Sequence, residues 1–123
     1  MSSNTPVIEI EAICKKIFRE SVLDVFYLIM TEKDISKTEI AQRFHAIEGN
    51  ETKTQKYRHK INEALAKLEG AMFIDSWVDG TANRYFLTQH GEVAKGILAQ
   101  MFEADPLILK GTKIVSKFME EEV

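Results

Sequence analysis

Between Phe73 and Leu98 the chain reads FIDSWVDGTANRYFLTQHGEVAKGIL, and this passage restricts its fold more than any other. Two runs rich in β-branched and aromatic residues, MFIDSWV and RYFL, flank the turn-forming DGTAN, so they are expected to pair as a hairpin with a loop of about five residues. Thr88 then stands where a hydroxyl can cap a helix, in which Val93, Ala94, Ile97, Leu98, Met101 and Phe102 form one apolar stripe.

The rest of the chain has helical spacing. Ile10, Ile13, Cys14, Ile17 and Phe18, then Val22, Val25, Phe26 and Ile29, continue one pattern from about Val7 to Met30, with Ser21 marking a break between an N-terminal arm and a first core helix. Ser36 and Glu39 have capping-box spacing, which predicts a short helix from Ser36 to His45 burying Ile40, Ala41 and Phe44. Gly49-Asn50 suits a turn. A helix from about Lys53 to Glu69 follows. At about 100° per residue, Tyr57, Ile61, Ala64, Leu65 and Leu68 share one face, and Lys56, His59, Lys60, Glu63 and Lys67 the opposite one. Gly70 is the expected C-terminal cap. After Pro106 a last helix is expected to bury Leu107, Ile114, Val115, Phe118 and Met119. The fold class is therefore mainly α with a small β-hairpin. The units are an arm over 1–20, a core over 21–103 and a C-terminal helix over 104–123.

Charge distribution points to a function. From Glu51 to Lys60 the cations Lys53, Lys56, Arg58 and Lys60 face the single acid Glu51, in a chain whose formal net charge is −3. Positive charge is thus concentrated on one helix, where phosphate contact would need it. Gln55, Lys56, His59 and Lys60 are placed to reach base edges or phosphates, and Thr52 and Thr54 stand at the helix entrance, where hydroxyls and free N–H groups commonly hold a phosphate. In the hairpin, Thr81, Asn83 and Arg84 are the candidates for backbone or minor-groove contact. Trp77 and Tyr57 are read as packing residues.

The order helix, short capped helix, turn, basic-faced helix, hairpin, helix, helix is that of a winged helix-turn-helix, in which the third helix enters the major groove and the hairpin is the wing. From about Ser21 to Phe102 the chain resembles PadR-like and MarR-like transcriptional regulators. The resemblance is carried by YRH in the basic helix and by RYFLTQHG, in which R-Y-x-L-T-x-x-G is the most specific part. It implies a sequence-specific DNA-binding protein, a homodimeric repressor that pairs through its terminal helices and reads an inverted repeat in double-stranded DNA. Two other readings are a partition or replication-control protein that spreads over tandem DNA sites, and a protein-interaction winged helix, which Asp75 and Asp79 beside the hairpin favour. The excess apolar stripe of the terminal helices either pairs with a second copy or is covered by the arm from Ile10 to Phe18.

Other classes are disfavoured. With 123 residues, 45% hydrophobic and 28% charged, the chain suits one compact domain. Cys14 is its only cysteine, so no intramolecular disulfide or cysteine-based zinc site can form, and a cytoplasmic setting is expected. His45, His59 and His90 lack metal-ligand spacing. No stretch of about 18 uncharged apolar residues occurs, so no membrane span is expected. There is no phosphate-binding glycine loop, nucleophile elbow or paired catalytic carboxylate motif, so neither an enzyme nor a cofactor is expected.

Overall fold

The computed structural model describes residues 8–48 and 55–122. Among them are six α-helices and a three-stranded antiparallel sheet. The order is α1 (Ile10–Ile17), α2 (Glu20–Thr31), β1 (Ile35–Ser36), α3 (Lys37–Glu48), α4 (Gln55–Gly70), β2 (Ile74–Asp79), β3 (Ala82–Leu87), α5 (Gln89–Ala104), a 3-10 turn (Pro106–Leu109) and α6 (Ile114–Glu122). The expected Gly49-Asn50 turn lies outside the described residues.

The helix α2 is the centre of the fold. Residues Val22 through Ile29 are all buried, as expected of a helix packed on every side. It meets α4, β3 and α6, while α1 lies on α5. The break between α1 and α2 falls at Phe18-Arg19 rather than at Ser21, and Glu20 restarts the helix at φ +50°. This bend drives Phe18 inward, its ring centroid 4.6 Å from that of Phe26 and 5.8 Å from that of Phe73.

Ser36 and Glu39 form the expected capping box: the Ser36 amide donates to Glu39 Oε1 at 2.9 Å and the Glu39 amide to Ser36 Oγ at 3.2 Å. Ile40 and Phe44 are buried and Ala41 is half-buried, but α3 runs past His45 to Glu48. On α4, Tyr57, Ile61, Ala64, Leu65 and Leu68 are all buried, as the spacing requires, and Tyr57 stacks on Phe44. The end of α4 departs from expectation. Gly70 is its last residue, and the left-handed position belongs to Met72, at φ +65°. The Phe73 amide donates to the Leu68 carbonyl at 3.0 Å and the Met72 amide to that of Glu69 at 2.9 Å, which is the Schellman pattern two residues further on.

The hairpin is tighter than its composition suggested. Asp79 pairs with Ala82, so the loop is Gly80-Thr81 and most of DGTAN belongs to the strands. Of those two residues only Gly80 has positive φ, +66°, the pattern of a type II′ turn. The strand β1 adds a third member that the sequence did not reveal, with Ile35 opposite Tyr85 and Ser36 opposite Arg84.

Thr88 caps α5 as expected, its Oγ1 accepting from the Gly91 amide at 3.0 Å. Ala94 and Leu98 are buried, Ile97, Met101 and Phe102 half-buried, but Val93 is exposed. The expected last helix is split. The Asp105 carboxylate accepts from the Leu107 amide at 3.0 Å and starts the 3-10 turn, and Gly111 at φ +84° redirects the chain before α6. Ile114 and Val115 are buried, whereas Leu107 is 75% exposed.

The attachment of α6 has no local signal in the sequence. Asp24, only 1% exposed, reaches from α2 and accepts the amides of Lys113 (2.8 Å), Ile114 (3.0 Å) and Val115 (3.0 Å). The carboxylate thereby satisfies N–H groups that the start of a helix leaves without an internal acceptor.

Candidate nucleic-acid interface

The packing of α4 on α2 and α3 decides which of its side chains reach solvent. Since the residues from Tyr57 to Leu68 that point inward are fixed by burial, Arg58, His59 and Lys60 point outward and are exposed. His59 is 91% exposed, with Nε2 at 3.9 Å from Glu63 Oε2, and Lys67 Nζ lies 3.6 Å from Glu63 Oε1. Gln55 and Lys56 occupy the first turn of the helix. Thr52, Lys53 and Thr54 lie outside the described residues.

The hairpin candidates are placed differently. Thr81 lies in the two-residue turn and Asn83 on β3 is exposed. Arg84 is engaged from three sides. Its Nε donates to Asp79 Oδ2 at 2.7 Å, and Nη1 donates to Glu39 Oε1 at 3.2 Å and to the Asp34 carbonyl at 3.1 Å. The hydrogen bond from Arg84 to Asp79 is the first cause holding the guanidinium above its ordinary pKa. Glu39 is held below the usual carboxylate value, chiefly by the Ser36 amide and hydroxyl and then by Arg84. One carboxylate therefore both caps α3 and ties the hairpin to it.

Asp34 completes this junction. Its amide donates to the Tyr85 carbonyl at 3.0 Å, its carbonyl accepts from Arg84, and its Oδ1 accepts from Trp77 Nε1 at 2.7 Å. It does so at φ +65°, a conformation that aspartate adopts more readily than most residues. Sequence reasoning missed Asp34, although an aspartate two residues before a capping serine is a signal for such a turn. Trp77, expected to pack, is held by this bond but is 44% exposed.

The motif R-Y-x-L-T-x-x-G acquires a structural meaning at each of its positions. Arg84 ties the hairpin to α3, Tyr85 is buried, Leu87 packs against the core, Thr88 caps α5 and Gly91 allows a backbone contact. A Cβ at Gly91 would stand 2.0 Å from the Phe73 carbonyl oxygen.

Electrostatically the two surfaces differ. The exposed face of α4 offers Arg58, His59 and Lys60 to an anion, whereas the hairpin carries Asp75 and Asp79 with its one arginine already neutralised. Among the described residues no group of three or more His, Cys, Asp or Glu side chains could hold a metal ion. None of their helices is long and apolar enough to cross a membrane. Cys14 is fully buried, and burial pushes its thiol up to about 11, which fits a packing role and leaves little thiolate for redox chemistry.

Compared with protein families, with curated proteins and with solved structures, the chain matches none.

Proposed function

We propose that the protein is a sequence-specific DNA-binding protein of the winged helix-turn-helix type, with α4 entering the major groove and the β2–β3 hairpin as its wing. The observation that carries this reading is the division of α4. One face is locked in the core by Tyr57, Ile61, Ala64, Leu65 and Leu68, His59 and Lys60 project from the opposite one, and Arg58 is exposed at its edge. A rigid helix with a cationic outer face is what groove binding requires, because the phosphates supply most of the affinity and the base edges the selectivity. The order α2, β1, α3, α4, β2, β3 is compatible with the winged-helix arrangement.

Homodimerisation and repression by occupying an inverted repeat are part of the proposal, since one α4 reads one half-site. The arm α1 takes up much of the stripe on α5, burying Cys14, Phe18, Ala94 and Leu98 within one chain. Dimer contacts would therefore use the exposed Val93, Leu107 and Phe118.

A second reading has its own observation. The hairpin pairs a neutralised Arg84 with exposed Trp77 and Val78 beside Asp75 and Asp79, a surface better suited to a protein partner than to phosphate.

Fluorescence anisotropy against duplex DNA over a salt series tests the first reading. Log affinity should fall steeply with log salt concentration, and Lys60→Ala should lower that slope by about 1. Weak binding with the slope unchanged by Lys60→Ala would favour the protein-interaction module.

A further inference from the structure

Behind the exposed face of α4, the start of α2 and the loop before α6 enclose a cleft of about 400 Å³. Four basic residues line it, Arg19 from the α1–α2 bend, Lys60 and Lys67 from α4, and Lys113 from the loop, with the acidic Glu20 and Glu63. Glu63 pairs with Lys67 at 3.6 Å, and the Lys113 charge acts on Asp24. Positive charge is thus gathered from three separate segments into one concavity, in a chain that is acidic overall.

The walls are held in place independently of any ligand. The backbone amide of Lys113 is fixed by Asp24 at 2.8 Å. Gly111, at φ +84°, packs so closely on Glu20 that a Cβ there would lie 2.8 Å from Glu20 Cγ. The apolar floor, Val22 and Ala64, is buried. A charged cleft with fixed walls binds a matching anion without first ordering the chain around it.

We propose that this cleft is a phosphate-binding site for a compact multivalent anion of the pyrophosphate class, held by Arg19, Lys60, Lys67 and Lys113. Arginine offers paired donors to phosphate oxygens and lysine a point charge. Lys60 also belongs to the exposed face of α4, so the phosphate could come from a free small molecule or from a DNA backbone passing along that helix. The site does not require the DNA reading.

Amide NMR titration of the full chain with inorganic pyrophosphate, and separately with a DNA duplex, tests this, with sodium chloride at matched ionic strength as control. Saturable shifts at residues 19–22 and 111–113 are expected. Arg19→Gln/Lys113→Gln should weaken the binding about tenfold or more, and Glu20→Gln should tighten it. Unchanged amides elsewhere will show that the variants fold. Shifts with pyrophosphate identify a free phosphate as the source, and shifts only with the duplex identify the backbone. Shifts reproduced by sodium chloride, binding unaffected by the double variant, or no shifts with either ligand would overturn the site. Loss of duplex shifts along 55–60 with pyrophosphate binding retained would count against the DNA reading alone.

Discussion

Gly91 on α5 lies against the carbonyl of Phe73, where a Cβ would be 2.0 Å from the oxygen, and that same oxygen accepts the Thr88 amide at 3.0 Å. The contact joins the end of α4, the close of the hairpin and the first turn of α5. Gly91→Ala cannot be absorbed by a side-chain rotation, because the obstacle is backbone. It should destabilise the protein by about 2–3 kcal/mol, measured as a lower urea midpoint with unchanged slope. A loss under about 0.5 kcal/mol would contradict this close approach.

Met72 holds a left-handed conformation at φ +65° and is 65% exposed. A left-handed non-glycine residue costs about 1–2 kcal/mol, and glycine's freedom in the unfolded chain offsets part of the relief. Met72→Gly should therefore stabilise by about 0.5–1 kcal/mol, read from the same denaturation curves. A destabilised variant would mean that Met72 packs in a way its exposure does not suggest.

Asp24 couples α2 to α6. Removing its carboxylate leaves the Ile114 and Val115 amides buried without their acceptor, so Asp24→Ala should cost about 3 kcal/mol and raise hydrogen exchange first in α6. Burial raises the Asp24 carboxyl above its ordinary value, against the lowering effect of the Val115, Lys113 and Ile114 amides. Between the unfolded and folded pKa values the native state therefore keeps a proton that the unfolded chain has released. This contribution is fully present below the unfolded pKa, about 3.9, and is lost as pH rises through the folded one. The stability difference between the wild type and Asp24→Asn should accordingly shrink with rising pH across that window. A difference that grows instead would show the amides outweighing burial.

How much of this was legible in the sequence depended on the range of the interaction. The Ser36–Glu39 box and the Thr88 cap rest on contacts within one turn, and the buried face of α4 shows in the helical period of its apolar residues, so spacing alone exposes all three. The strand β1 did not show, because Ile35 and Ser36 are strand only through pairing with Tyr85 and Arg84. The hairpin loop is shorter than its composition predicts because Asp79, Ala82 and Asn83 have little β-propensity and are extended through cross-strand bonds. Asp24 was hidden inside an apolar pattern, its partners 89–91 residues away. The candidate residues on α4 follow from periodicity, whereas the engagement of Arg84 depends on Asp34, Glu39 and Asp79 meeting in three dimensions.

That engagement has a measurable consequence for the hairpin. Since Arg84 is bound by Asp79 and Glu39, Arg84→Gln should loosen the hairpin from α3 and speed amide exchange at Asp34 and Tyr85. It should leave the salt slope of DNA binding unchanged. A slope lowered by about 1 would instead place Arg84 on a phosphate.

The central claim is that the outer face of α4 reads DNA. Selection from a randomised duplex pool at near-physiological salt, with the wild type and Lys56→Ala/Lys60→Ala in parallel, tests it most directly. The expected result is enrichment of an inverted repeat with half-sites about one helical turn apart, lost in the variant while the fold is kept. No enrichment, with the variant indistinguishable from the wild type, would contradict it.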